Sequence, residues 1–229
     1  MSRTNYINWI CKKPIFLGFI IVVFLIILLA GIKYLAKSHY RETIKNLEQR
    51  ITSVRSKLES ESVRQYEIDK MISIIELYNQ DMMLQQKYKI ADELYSMTQL
   101  YPNLNTALLT AFITYQTEGS WDPAFENCDG AMGLFALLPV TGMLIAPHTD
   151  IVWTSPEVVL KDAVYNIRLG SFYLSTLITT YDVDGGIIAF KVNEKTAAHW
   201  QKSGKKSNVL SMDIRTILEQ IHELYSEQK

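Results

Sequence analysis

The segment Pro14 to Ile32, PIFLGFIIVVFLIILLAGI, carries no charged or strongly polar side chain. At 1.5 Å rise per residue it reaches about 28 Å as a helix, the depth of one hydrocarbon core. No polar face runs along it, so an ordinary core helix of a soluble protein is a poor fit. A cleaved signal would show an apolar core of about 7–15 residues and then small residues. Here the run is longer and leads into Ile32-Lys33-Tyr34, so an uncleaved single-pass anchor is expected. Tyr6, Trp9 and Tyr34 suit its two interfaces. Arg3, Lys12 and Lys13 on one side balance Lys33, Lys37, Arg41 and Lys45 on the other, and positive charge alone leaves the direction open. Cys11 precedes the run, whereas a bacterial lipoprotein cysteine would follow it.

Beyond the anchor, about 195 residues remain, enough for one ordinary domain and an extended element. A net charge of −1 and a pI near 6.4 give no electrostatic footprint for nucleic acid. Lys202, Lys205 and Lys206 read as a solvated turn. Cys11 and Cys128, with the apolar run between them, are not expected to pair. Four scattered histidines without HExxH or paired-cysteine spacing imply no metal site.

Tyr40 to Tyr88 contains neither Gly nor Pro and reads as one long helix. With Ile44 at heptad position a, the a positions are Ile44, Ile51, Leu58, Gln65, Ile72 and Asn79, and the d positions are Leu47, Val54, Glu61, Ile68, Ile75 and Met82. Apolar residues dominate both sets, as in a coiled coil. Glu61 and Gln65 weaken the middle. In a parallel dimer Arg64 would face Asp69 favourably and Arg50 would face Arg55 unfavourably. Two arrangements satisfy this spacing: a homodimer through the coiled coil, or an amphipathic helix folded back on the C-terminal domain.

After Tyr88, apolar helical segments alternate with Pro, Gly and Asn/Asp punctuation, and a compact all-helical domain is expected from about Ile90. Helices are predicted over Pro156 to Thr180, after Gly186 and from about Ser211. In the last, Leu210, Ile214, Ile217, Leu218, Ile221, Leu224 and Tyr225 form one apolar stripe. No long alternating run predicts a strand.

The segment NTALLTAFITYQTEGSWDPAFENCDGAMGLFALLP ends an apolar helix with a carboxylate, then turns into a Gly-rich stretch. Glu118 follows Leu108, Leu109, Phe112 and Ile113 and precedes Gly119. Beside Trp121 and Phe125 it would be partly desolvated, which raises a carboxyl pKa as a general acid near neutral pH requires. A lone Glu at a helix end is, equally, the pattern of a solvated surface residue.

Three stretches carry a resemblance. Tyr115-Gln116-Thr117-Glu118-Gly119-Ser120-Trp121-Asp122-Pro123, Gly130-Ala131-Met132-Gly133-Leu134-Phe135-Ala136-Leu137-Leu138-Pro139-Val140-Thr141 and Asn166-Ile167-Arg168-Leu169-Gly170-Ser171-Phe172-Tyr173-Leu174 occur in order, the last preceded by Pro156-Glu157. Together they resemble the catalytic domain of soluble-type lytic transglycosylases, in the lysozyme-like superfamily, over roughly residues 105–202. The second is similar to GAMGLMQLMPAT and the third to NIRLGARYL.

With the anchor and the long helix read above, the resemblance completes an expected all-α chain: an N-terminal transmembrane helix, a long coiled-coil-like helix and a C-terminal lysozyme-like helical domain. It implies binding of peptidoglycan glycan strands and cleavage between N-acetylmuramic acid and N-acetylglucosamine, with no cofactor. Glu118 would act as general acid and then as base toward the muramyl 6-hydroxyl, giving a 1,6-anhydro product. Gly130, Met132, Gly133, Phe135, Phe190 and Tyr115 would line the substrate, and Arg168 would anchor helix ends.

Departures stand beside these matches. Gly119 replaces the usual Ser, Ala136 replaces the Gln of GLMQ, and Ala189-Phe190-Lys191 stands where Ala-Tyr-Asn is usual. Phe190 cannot donate a hydrogen bond, which leaves Tyr115, Tyr165 or Tyr173 to supply a hydroxyl from another direction. Two readings follow, a divergent enzyme or a pocket that binds glycan without cutting it.

Because wall glycan lies outside the cytoplasmic membrane, the resemblance also orients the anchor. The expected organisation is 1–13 cytoplasmic, 14–32 spanning the bacterial inner membrane, 38–88 a spacer helix, and 89–229 the lysozyme-like domain in the periplasm or facing the wall. Trp153, Trp200 and His148 receive no role.

Overall fold

The computed structural model describes residues 4–191 and 209–227, and among them every regular element is a helix. In order these are α1 (Thr4–Tyr78), α2 (Leu84–Leu100), α3 (Thr106–Gln116), α4 (Pro139–Ile145), a 3-10 turn at Ala146–His148, α5 (Pro156–Leu160), α6 (Ala163–Lys191) and α7 (Val209–Glu227). The expected all-α class is therefore what the chain adopts. Two isolated β-bridges, Glu126 to Met132 and Met132 to Leu137, are its only extended pairings among the described residues. The chain divides into two units, Met1–Glu61 and Ser62–Lys229.

The first unit is helical from Thr4. Its described portion contains a helix long and apolar enough to cross a membrane. Ile21 to Leu29 are all exposed, Phe24 by 63% and Ile27 by 62%. A continuous apolar surface of this kind is far larger than water-facing proteins ordinarily carry. Farther along, Ile44, Leu47, Ile51, Val54 and Leu58 are also exposed. The side chains of Tyr6, Trp9 and Cys11 lie outside the described ones.

The second unit begins inside α1, earlier than the residue 89 expected from sequence. Ile68, Met71, Ile74 and Ile75 of α1 are 0–2% exposed. Burying four such side chains contributes up to about 6–12 kcal/mol, an upper bound because the unfolded chain already hides some of them. Polar clamps reinforce this packing: Arg64 pairs with Asp92, buried Lys87 with Glu76, and Thr106 Oγ1 donates to Glu67 Oε2 at 2.6 Å. From Ser62 onward the folded-back alternative therefore describes α1.

α3 is the axis of this unit, with all but Thr106 and Tyr115 of its residues buried. Asn105 caps it, its side chain accepting from the Leu108 amide at 2.8 Å. Around it lie Ile90, Leu94 and Met97 of α2, Ile167, Leu169 and Leu174 of α6, and Ile187 beyond the α6 kink. α7 covers the remaining side, with Ile221 buried against Ile74, Ala107 and Ala111 and with Ile217 and Leu218 half-buried there. The side chains of Leu210, Leu224 and Tyr225 lie outside the described set, as do Trp200, Lys202, Lys205 and Lys206 altogether.

The single helix predicted over Pro156 to Thr180 is two. Asp162 interrupts it because its carboxylate accepts from the amides of Val164 at 2.9 Å and Tyr165 at 3.0 Å, restarting the helix as an N-cap does. α6 then continues past Thr180 through a kink at Asp182, whose φ is 67° and ψ −178°.

Candidate functional site

The Gly-rich segment is held by the Asn166 to Leu174 stretch. Buried Asn166 donates through Nδ2 to the carbonyls of Met132 at 3.0 Å and Leu160 at 2.9 Å, and its Oδ1 accepts from the Phe135 amide at 2.7 Å. All of its bonding therefore goes into fixing the turn. Gly133, at φ 77°, has no room for a side chain: a Cβ there would lie 2.1 Å from the Leu160 carbonyl oxygen. Gly170 leaves space for the Phe135 ring, which a Cβ would meet at 2.1 Å. Arg168 ties α6 to the middle of α2 and does not anchor helix ends as expected. Its guanidinium grips Glu93 of α2 through Nε at 2.7 Å and Nη2 at 3.2 Å, and this bond raises its pKa.

At the end of α3 the chain reverses through residues of positive φ, Glu118 at 52°, Gly119 at 80° and Trp121 at 48°. Trp121 pins the reversal. It is fully buried, its indole Nε1 donates to Thr114 Oγ1 at 3.0 Å, and its amide donates to Thr117 Oγ1 at 3.2 Å. With the indole drawn inward, Glu118 is exposed, and the partial desolvation expected for it is not found. Gln116, the last residue of α3, is 4% exposed.

These two residues open on different spaces. Gln116 lines a cavity of about 90 Å³ with Asn127, Ala131, Thr141, Tyr173, Phe190 and Lys191, and exposed Asp129 also borders it. Glu118 lines a separate surface depression of about 360 Å³ with Tyr78, Thr114, Tyr115, Gly119 and Ile217. Of the residues expected along one substrate, only Phe190 borders the cavity that faces the Gly-rich segment. Tyr115 accompanies Glu118 instead, and its phenol pKa is raised by burial and then by the nearby Asp213 carboxylate.

Met132 and Phe135 are core residues, 8% and 0% exposed. Phe135 joins an aromatic cluster with Phe112 at 5.6 Å and Phe190 at 6.3 Å, and Tyr173 approaches Phe190 at 5.1 Å. Gly130, at φ 75°, serves the turn ahead of the cavity. Met132, Gly133 and Phe135 thus build the wall and do not border the open space.

The floor is polar. Lys191 Nζ donates to Gln116 Oε1 at 3.4 Å and lies 5.8 Å from the centre of the Tyr115 ring. Asn127 Oδ1 accepts from the amides of Asp129 at 3.0 Å and Ala131 at 2.9 Å, which leaves its amide NH2 as the group it can offer. Gln116, Asn127 and Thr141 were not singled out in sequence, whereas Tyr173, one of three tyrosines considered as a substitute hydroxyl, does border the cavity. Gln116 had a signal: four residues after Phe112 and seven after Leu109, it continues their buried helical face.

No family model matches this sequence, and no curated protein matches it. Among solved structures the chain is similar to an inactive mutant of the lytic transglycosylase Slt from Pseudomonas aeruginosa, at 17% identity and a TM-score of 0.48, covering 59% of this chain and 24% of that one. It is also similar to the 70 kDa soluble lytic transglycosylase Slt70 from Escherichia coli, at 17% identity and a TM-score of 0.42, covering 61% and 25%. The chain therefore spans about a quarter of the length of each.

Proposed function

We propose that this chain is a module tethered to the bacterial cytoplasmic membrane that binds peptidoglycan glycan strands without cleaving them. One observation carries the reading: the polar side chain that α3 presents to the cavity is Gln116, an amide. Glycoside cleavage needs a carboxylic acid to protonate the leaving oxygen. An amide has no such proton to give, though it hydrogen-bonds a sugar well. A cavity of about 90 Å³ has the room of about three waters. It has room for one substituent of a sugar.

The apolar run Pro14 to Ile32 supports a single-pass anchor, and a wall ligand supports a short cytoplasmic N-terminus with the rest outside. The exposed stripe from Ile44 to Leu58 supports pairing with a second copy. Ile at a with Leu at d favours parallel two-stranded packing. The unfavourable Arg50 and Arg55 contact is eased because Arg55 Nε lies 3.3 Å from Glu59 Oε1 of its own helix.

The test is co-sedimentation of the full chain, in detergent, with purified sacculi. Gln116→Leu is expected to reduce the bound fraction severalfold while Glu118→Gln leaves it unchanged. Equal binding by wild type and Gln116→Leu would remove the cavity from the account.

A second reading, lytic cleavage between N-acetylmuramic acid and N-acetylglucosamine with Glu118 as general acid and base, draws on the depression in which Glu118 stands. Its volume, about 360 Å³, is within the range of small-molecule sites, and Tyr78 and Tyr115 give it aromatic walls. Exposure of the carboxylate counts against it.

A further inference from the structure

We propose that the cavity beside Gln116 selects a carboxylate-bearing glycan, with Lys191 as the residue that reads the charge. The inference rests on the glycan-binding reading and adds the chemistry of the group that enters.

The polar groups around the cavity are biased toward donors. The Asn127 carbonyl oxygen is occupied by two backbone amides, so its NH2 is what remains for a ligand. The Gln116 carbonyl oxygen accepts from Lys191, so its NH2 remains likewise. Lys191 has three N–H donors and no acceptor, and the 3.4 Å contact to a neutral amide is a long bond that uses one of them. Thr141 adds a hydroxyl able to donate or accept. Against this set stands one carboxylate, Asp129, which like Lys191 is exposed.

An acceptor-rich anion satisfies such a set, whereas a neutral hydroxyl competes poorly for it. A carboxylate meeting an ammonium and an amide NH2 forms charge-assisted bonds about twice as strong as neutral ones. Burial of Gln116 fixes one donor in advance, which lowers the ordering cost on binding. Size agrees, since about 90 Å³ readily admits a carboxylate.

Two parts of peptidoglycan carry this chemistry. The lactyl group of muramic acid is a free carboxylate where the stem peptide has been removed, and an amide where it remains. The stem peptide carries carboxylates of its own. A chitin oligosaccharide of equal length has neither.

The experiment is calorimetric titration of the full chain in zwitterionic lipid nanodiscs with three tetrasaccharides: peptide-free muramyl glycan, the same glycan with stem peptides attached, and chitotetraose. At least one carboxylate-bearing glycan is expected to bind about tenfold or more tighter than chitotetraose. The tighter of the two identifies the source of the carboxylate. Lys191→Met is expected to remove the preference for the carboxylate-bearing glycan over chitotetraose, and Lys191→Arg to keep it. Added salt should narrow the difference. Equal affinity for all three, or a preference that survives Lys191→Met, overturns this inference and leaves glycan binding standing. Failure of all three to bind wild type overturns the glycan reading with it.

Discussion

Lys191 Nζ and Gln116 Oε1 meet at 3.4 Å in the lining of one cavity, joining the last residue of α6 to the last residue of α3. The contact joins a charge to a neutral amide, so the ammonium keeps its charge available to a ligand. Gln116→Glu would end that. A carboxylate of nearly the same shape would pair with Lys191 and repel an incoming anion, a charge interaction of about 1–4 kcal/mol between bulk water and a protein surface. We expect Gln116→Glu to weaken binding of carboxylate-bearing glycan by about tenfold, measured by the same calorimetric titration, with little change in melting temperature.

Asn166 holds the wall of the cavity through three buried bonds. Asn166→Leu leaves the Met132 and Leu160 carbonyls and the Phe135 amide without that partner. Each buried polar group stranded in this way costs about 1–3 kcal/mol. A loss of about 3 kcal/mol or more in unfolding free energy is expected in urea, accompanied by loss of glycan binding. A change under 1 kcal/mol would mean that the turn holds itself.

The compact unit starts at Ser62, so Ile75→Ala should destabilise it as a core truncation does, by about 2–5 kcal/mol. A chain beginning at Ser62 is expected to unfold cooperatively, and one beginning at Lys89 to lack a cooperative transition by circular dichroism.

That boundary marks the limit of what the sequence disclosed. The apolar run and the helical class were legible because each depends on composition and spacing, whereas the hold of Asn166 and Gly170 on the Gly-rich segment shows only in the packing. The division of α1 was not legible. A seam for a second helix and a face for the chain's own domain use the same three- and four-residue spacing, so Ile51 and Ile68 look alike until packing separates them. The inward position of Gln116 was hidden for a related reason. Glu118 and Gln116 are two residues apart, and which one faces inward depends on where α3 stops, a point fixed by burial of the Trp121 indole. The Asp162 cap that splits α5 from α6 was hidden because Asp also sits comfortably on the surface of an unbroken helix.

For the exposed part of α1, cross-linking separates pairing from an idle surface. In a chain carrying Cys11→Ser and Cys128→Ser, Ile51→Cys lies on the seam and Gln49→Cys at heptad position f, away from it. Reconstituted in liposomes and oxidised, Ile51→Cys is expected to give several times more disulfide dimer than Gln49→Cys. Equal yields would remove the second copy from the account.

The central claim, binding without cleavage, is tested most directly by the mass of what leaves the wall. The full chain in detergent is incubated with purified sacculi, and the soluble fraction is analysed by mass spectrometry. We expect the protein to sediment with the sacculi and to release neither 1,6-anhydro-muropeptides nor new reducing ends, for wild type and Glu118→Gln alike. Release of anhydro-muropeptides by wild type that is lost in Glu118→Gln would contradict the account and establish lytic cleavage.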